Sequence, residues 1–117
     1  MRILIILAFF MSNISFAADE SLLDEYIQYG IEFNNAKNTT SKTALACVYE
    51  TIFNTMDEQD KEYFRKILAY KKENPRLSAK KVATETKALY DPSGKLEKSI
   101  NKKVKLARPQ FMEKCYK

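Results

Sequence analysis

Apolar residues recur along most of the chain at the three- and four-residue spacing of amphipathic helices. No stretch rich in Val, Ile and Thr alternates with polar residues at the spacing of two that a half-buried strand shows, and there is no Asn-Gly or Asp-Gly hairpin turn. The pattern therefore predicts an all-α fold, a compact bundle of four to five helices.

Polar connectors, caps and prolines divide this pattern into five helical segments. We predict them at residues 21–34, 41–55, 57–74, 78–90 and 95–107. Ser21 and Ser78 are residue types that favour the N-cap, and the run 91–94 (Asp-Pro-Ser-Gly) is the strongest turn signal in the chain. Because proline removes a helical hydrogen bond, we expect Arg108-Pro109 to interrupt the fifth segment.

Residues 1–17 have the features of a cleaved signal peptide. Met1-Arg2 gives a positive start, nine apolar residues follow over 3–11, and Ser15-Phe16-Ala17 fits the small-x-small cleavage pattern. The apolar run is too short to span a bilayer, which takes about 20 residues. We therefore expect an exported protein, periplasmic or secreted, with a single helical domain over residues 18–117.

The two cysteines, Cys47 and Cys115, are expected to form a disulfide, because an exported chain folds in an oxidising compartment. Cys47 falls on the side of the second segment opposite Leu45, Val48 and Ile52, so its partner must approach from outside that apolar face. The C-terminal segment would then cross the outer side of the second helix and make it the central helix of the bundle.

The composition disfavours catalysis, metal binding and cofactor binding. The chain has no His, and so lacks the commonest general base and metal ligand. Its only glycines, Gly30 and Gly94, are isolated, so no glycine-rich loop can hold a phosphate. Adjacent carboxylates such as Asp57-Glu58 fall in first turns of predicted helices, where acidic residues are common. We expect a non-enzymatic protein with no catalytic residue, metal site or cofactor.

Charge is distributed unevenly along the predicted mature chain. Residues 18–74 hold 7 Lys+Arg against 11 Asp+Glu, whereas residues 75–117 hold 12 against 4. The fifth segment concentrates the positive charge, with four lysines at i, i+3, i+7 and i+10 on the side opposite its apolar residues. We call these four residues the lysine face: Lys95, Lys98, Lys102 and Lys105.

Several interpretations of the lysine face stay open. The simplest is a solvated surface that pairs with the acidic first half. A second is a docking surface for an acidic protein, and a third is peripheral contact with lipopolysaccharide or phospholipid headgroups. Nucleic acid is disfavoured by export and by the absence of interleaved aromatic residues. Tyr63 and Tyr70 are further contact candidates, although tyrosines at the core edge would give the same pattern.

These features together indicate a small exported binding protein. Our leading hypothesis is a periplasmic inhibitor or immunity-type protein that blocks another protein. One alternative is an envelope-surface binder or periplasmic chaperone, and another is a secreted effector. No motif in the chain indicates a known family, its oligomeric state or the identity of its partner.

Overall fold

The chain folds into helices joined by short connectors. The computed structural model describes residues 20–116, which form five helices and no strand, confirming the predicted all-α class. The helices are α1 (20–33), α2 (Thr39–Phe53), α3 (Glu58–Glu73), α4 (Ala79–Tyr90) and α5 (Lys95–Cys115). None of the described helices is long and apolar enough to cross a membrane. The predicted signal peptide, residues 1–17, lies outside the described residues.

Side-chain caps fix the start of three helices. α3 has a capping box, in which the Asp57 carboxylate accepts from the Asp60 amide (2.9 Å) and the Asp60 carboxylate accepts from the Asp57 amide (3.2 Å). Ser78 caps α4 as predicted, its hydroxyl accepting from the Lys81 amide. α2 begins before the predicted Ser41, because Asn38 is its N-cap and accepts from the Ser41 amide at 2.8 Å.

Two further predicted boundaries are wrong. Residue 20 is already helical, so Ser21 lies inside α1 and is not its N-cap. Pro109 does not end α5, which continues to Cys115. The carbonyl that Pro109 leaves without a helical donor belongs to Lys105, and both residues are exposed, so water can reach it. Beyond the proline, the buried Phe111 and the disulfide at Cys115 hold the last turns in place.

The buried Asp91 carboxylate caps the N-terminus of α5, although Asp91 lies four residues before the helix begins. Its two oxygens accept from the backbone amides of Leu96 and Glu97, both at 3.0 Å, across a turn in which Gly94 has a φ of 75°. Burial raises the pKa of Asp91, but these hydrogen bonds and the nearby Lys87 outweigh burial and hold the pKa below its usual value. Asp91 thus supplies the cap that Gly94, the nominal N-cap, cannot provide.

Aromatic residues of α1 occupy the centre of the core. The Tyr26 ring contacts Tyr49 of α2 and Phe64 of α3 edge-on, with centroids 5.0 and 4.3 Å apart. Tyr29 reaches α4, where its hydroxyl donates to the Ala79 carbonyl at 2.8 Å. α1 therefore contacts three of the other helices, while α5 packs against α2 and α3, and α3 packs against α4.

A close approach between α1 and α2 depends on Gly30. A β-carbon at this position would lie 2.4 Å from the Tyr49 ring. Asn34, one turn later, donates from its amide both to the Gly30 carbonyl and to the Tyr49 hydroxyl, each at 2.8 Å. Glycine is thus required in this helix because it leaves room for an aromatic ring.

The predicted disulfide joins α2 to the end of α5. Cys47 and Cys115 are bonded, with their Cα atoms 5.6 Å apart. α5 covers α2 on this side, and α1 contacts it through the pairs Tyr26–Tyr49 and Tyr26–Phe53. A disulfide of this kind fits a protein that folds in an extracellular, oxidising environment.

Candidate functional site

The lysine face is exposed along α5. All four of its side chains are exposed, and none forms a salt bridge with another residue of the described range 20–116. The apolar residues opposite them, Leu96, Ile100 and Val104, pack against the core. The structure therefore brings the four predicted lysines together as one uncompensated basic surface.

Lys103 behaves differently from its neighbours and pairs with the acidic first half. Its ammonium group donates to the carboxylate of Asp57 at 3.1 Å and to that of Asp60. The Asp60 side chain is only 2% exposed, so its charge is neutralised within the bundle. Hydrogen bonds to Asp60 and Asp57 raise the pKa of Lys103. The contact between the acidic and basic halves of the chain thus uses Lys103 and leaves the lysine face free.

Two apolar side chains accompany the lysine face, and our sequence analysis missed them. Leu106 is 74% exposed and follows Lys102 by one turn, while Met112 is 46% exposed and follows Lys105 by two turns. Their helical positions place them among the lysines and away from Ala107, which is buried. A wheel of the predicted segment 95–107 already contains Leu106, whereas Met112 is found only when α5 is extended beyond Pro109.

The two candidate tyrosines lie away from the lysine face. Tyr63 is 7% exposed and belongs to the core, so the hypothesis that it forms part of an exposed contact surface is wrong. It projects from the same side of α3 as Ile67, which faces the other helices. Tyr70 is half-buried beside Glu85 of α4; burial, and then this carboxylate, raise its pKa. The tyrosines that the structure exposes are Tyr90 and Tyr116.

A cavity of about 410 Å³ lies between the helices, behind α5. All five helices contribute to its walls, which are mostly aromatic and aliphatic. The exposed Asn101 is among the lining residues, so the cavity reaches the protein surface. The residues that line it are Tyr26, Tyr29, Phe33, Tyr49, Ile52, Met56, Tyr63, Phe64, Ile67, Ala83, Glu97, Ile100, Asn101 and Val104.

Within residues 20–116, no group of three or more Cys, Asp or Glu side chains could hold a metal ion. Comparison with known proteins adds no functional relative: no protein-family model, curated protein or solved structure matches this chain. Function is therefore inferred from two features, the lysine face with its exposed apolar residues and the interior cavity.

Proposed function

We propose that this protein acts by binding rather than by catalysis, and that it docks an acidic partner protein on α5. The biological role that fits is that of an exported inhibitor or immunity-type protein, periplasmic or secreted, which blocks its partner by occupying it. One observation carries the proposal: within residues 20–116 the lysine face forms no salt bridge, and the exposed side chain of Leu106 lies at its edge.

The surface combines the two elements that protein docking uses. Exposed like charges attract an acidic partner and accelerate encounter, while an apolar side chain among them gains from desolvation when the interface closes. The chain's net charge of +5 acts in the same direction. Leu106 and Met112 add apolar contact area to this charged surface.

A membrane surface is a poorer fit as the target. A helix that lies on a bilayer inserts its apolar side among the acyl chains. In α5 that side is committed to the bundle, because Ala107 and Phe111 are buried and Ile100 packs against the core. Leu106 and Met112 alone offer little area for insertion. The proposal therefore takes a protein as the partner.

The test compares two triple charge reversals that change the net charge equally. The first is Lys98→Glu, Lys102→Glu and Lys105→Glu on the lysine face. The control reverses three exposed lysines elsewhere, Lys37, Lys42 and Lys81. Proteins captured from a cell-envelope extract by the wild-type protein are purified, and association is measured by surface plasmon resonance at low and at physiological salt.

We expect the lysine-face reversal to slow association of a captured protein at least tenfold at low salt and to reduce its salt dependence, whereas the control reversal retains most of the wild-type rate. Leu106→Ala should mainly accelerate dissociation. Circular dichroism and the melting temperature should be unchanged, since these side chains point away from the core. The proposal fails if the two reversals act alike, or if binding is seen only to phosphatidylglycerol vesicles.

A further inference from the structure

The cavity behind α5 has the size and composition of a small-molecule site. Its volume of about 410 Å³ falls within the range of about 300–1,000 Å³ typical of ligand pockets. Such pockets are largely apolar and carry a few polar groups that orient the ligand. The hydroxyl groups and charges of the lining residues determine which chemical class of ligand the cavity can bind.

Three tyrosines in the walls have hydroxyl groups that donate to no residue within the described part of the chain: Tyr26, Tyr49 and Tyr63. Tyr29 donates to the Ala79 carbonyl, and the Tyr49 hydroxyl accepts from Asn34. Tyr26 and Tyr63 are only 5% and 7% exposed, yet neither hydroxyl has a hydrogen-bond partner within the described part of the chain. Neither hydroxyl oxygen is sealed from solvent without a partner, a state that Glu85 Oε2 alone shows among the described residues, so both are reachable from the open cavity. A ligand with an acceptor oxygen would give Tyr26 or Tyr63 the partner that its hydroxyl lacks.

The charges around the cavity exclude an anionic ligand. Among the described residues, no Lys or Arg lines the cavity, and Glu97 is the one charged side chain that does. Glu97 is already paired with Lys87 at 3.1 Å. Burial, and then the carboxylates of Asp91 and Glu97, raise the pKa of Tyr63, so the charged groups that act on this hydroxyl are anionic. A carboxylate or phosphate would lose its hydration here without meeting a counter-charge.

We propose that the interior cavity binds an uncharged, largely apolar small molecule with a carbonyl or ether oxygen that accepts from a tyrosine hydroxyl of the walls, that of Tyr26 or of Tyr63. The aromatic walls would contact its apolar body. The inference goes beyond the docking proposal and is independent of it, because the cavity is lined by Ile100 and Val104, on the opposite side of α5 from Lys98.

The binding experiment uses 6-propionyl-2-(dimethylamino)naphthalene, an uncharged fluorophore with one ketone oxygen, whose emission moves to shorter wavelength in apolar surroundings. We expect saturable binding of one molecule per chain to the oxidised protein, with a blue-shifted emission. The charged control is 6-(dimethylamino)naphthalene-2-carboxylate, which keeps the ring system and replaces the ketone by a carboxylate. It should bind at least tenfold more weakly at physiological salt.

Variants locate the bound fluorophore. Val104→Phe fills the cavity and should weaken binding at least tenfold, whereas Leu96→Phe enlarges a partly buried residue of the same helix that does not line it and should leave binding intact. Tyr26→Phe with Tyr63→Phe removes both free donors without changing the ring shapes. This pair should weaken binding up to about tenfold, the upper end of the scale expected for one ordinary hydrogen bond.

Melting curves establish that each variant is folded, and the tyrosine pair keeps the test decisive if Val104→Phe does not fold. The triple reversal at Lys98, Lys102 and Lys105 should leave the fluorophore affinity unchanged, which separates this proposal from the docking proposal. The inference is overturned if binding is not saturable, if the carboxylate binds equally well, or if both the cavity-filling and the tyrosine variants bind as the wild type does.

Discussion

Gly30→Ala tests whether the contact between α1 and α2 is as close as the structure describes. An alanine β-carbon would lie 2.4 Å from Cε2 of Tyr49 and 2.6 Å from Cδ2 and Cζ, inside van der Waals contact. The ring cannot move away freely. It packs edge-on against Tyr26, and its hydroxyl accepts from Asn34.

Two effects of opposite sign decide the magnitude. Alanine is favoured over glycine inside a helix by about 1 kcal/mol. Overpacking a core contact costs about 1–3 kcal/mol, and displacing Tyr49 loses an aromatic pair worth about 0.5–1.5 kcal/mol together with its hydrogen bond. The clash should therefore prevail, with a net loss of about 1–3 kcal/mol in the free energy of unfolding. The melting temperature should fall by about 4–8 °C for each kcal/mol lost.

Urea unfolding followed by circular dichroism measures this loss in a double-mutant cycle with Tyr49→Ala. When the ring is absent, Gly30→Ala should stabilise the protein, because only the helix propensity of alanine remains. The sign of the alanine substitution therefore reverses between the two backgrounds. A Gly30→Ala protein that is as stable as the wild type or more so, with Tyr49 present, would refute the close contact.

Two further predictions concern the disulfide and the buried tyrosines. Replacing Cys47 and Cys115 by alanine together should cost about 4 kcal/mol, the chain-entropy value for a cross-link spanning 68 residues; urea unfolding measures it, and a loss below about 1 kcal/mol would contradict it. Burial raises the pKa of Tyr26 and of Tyr29 above the ordinary value, so these groups stay protonated in the folded state while the unfolded chain ionises above a pH of about 10. Their contribution to stability is complete below that pH and declines as the pH rises further. Unfolding at increasing pH should show this decline. The part of the 295 nm ionisation signal that Tyr26→Phe and Tyr29→Phe remove should appear only with unfolding, and its appearance in the folded state would disprove the prediction.

The elements that could be predicted from sequence are those that local chemistry determines. Asp57 and Ser78 begin helices because their side chains accept from amides three residues later, a relationship contained within a few positions of the chain. The position of Cys47 on the back of α2 likewise indicated that the C-terminal segment would cover that side. Helical periodicity and cap residues therefore gave the fold class and most helix boundaries.

The remaining features depend on contacts between distant parts of the chain. α5 continues beyond Pro109 because Phe111 and Cys115 contact other helices. Such contacts between distant residues leave no trace in the local sequence pattern. Tyr63 is buried for the same kind of reason, since its position at the margin of the apolar stripe is compatible with either environment. The cavity exists because five helices leave space between them, and spacing along a sequence carries no measure of that space.

α5 is fastened at its beginning, its middle and its end. The Asp91 carboxylate holds its first amides, Lys103 joins it to the start of α3, and Cys115 bonds it to α2. A partner that docks on the lysine face would meet a backbone already in its bound shape, so little chain entropy would be lost on association. Docking would then be a rigid-body association. Partners would differ more in the dissociation rate of the complex than in its association rate.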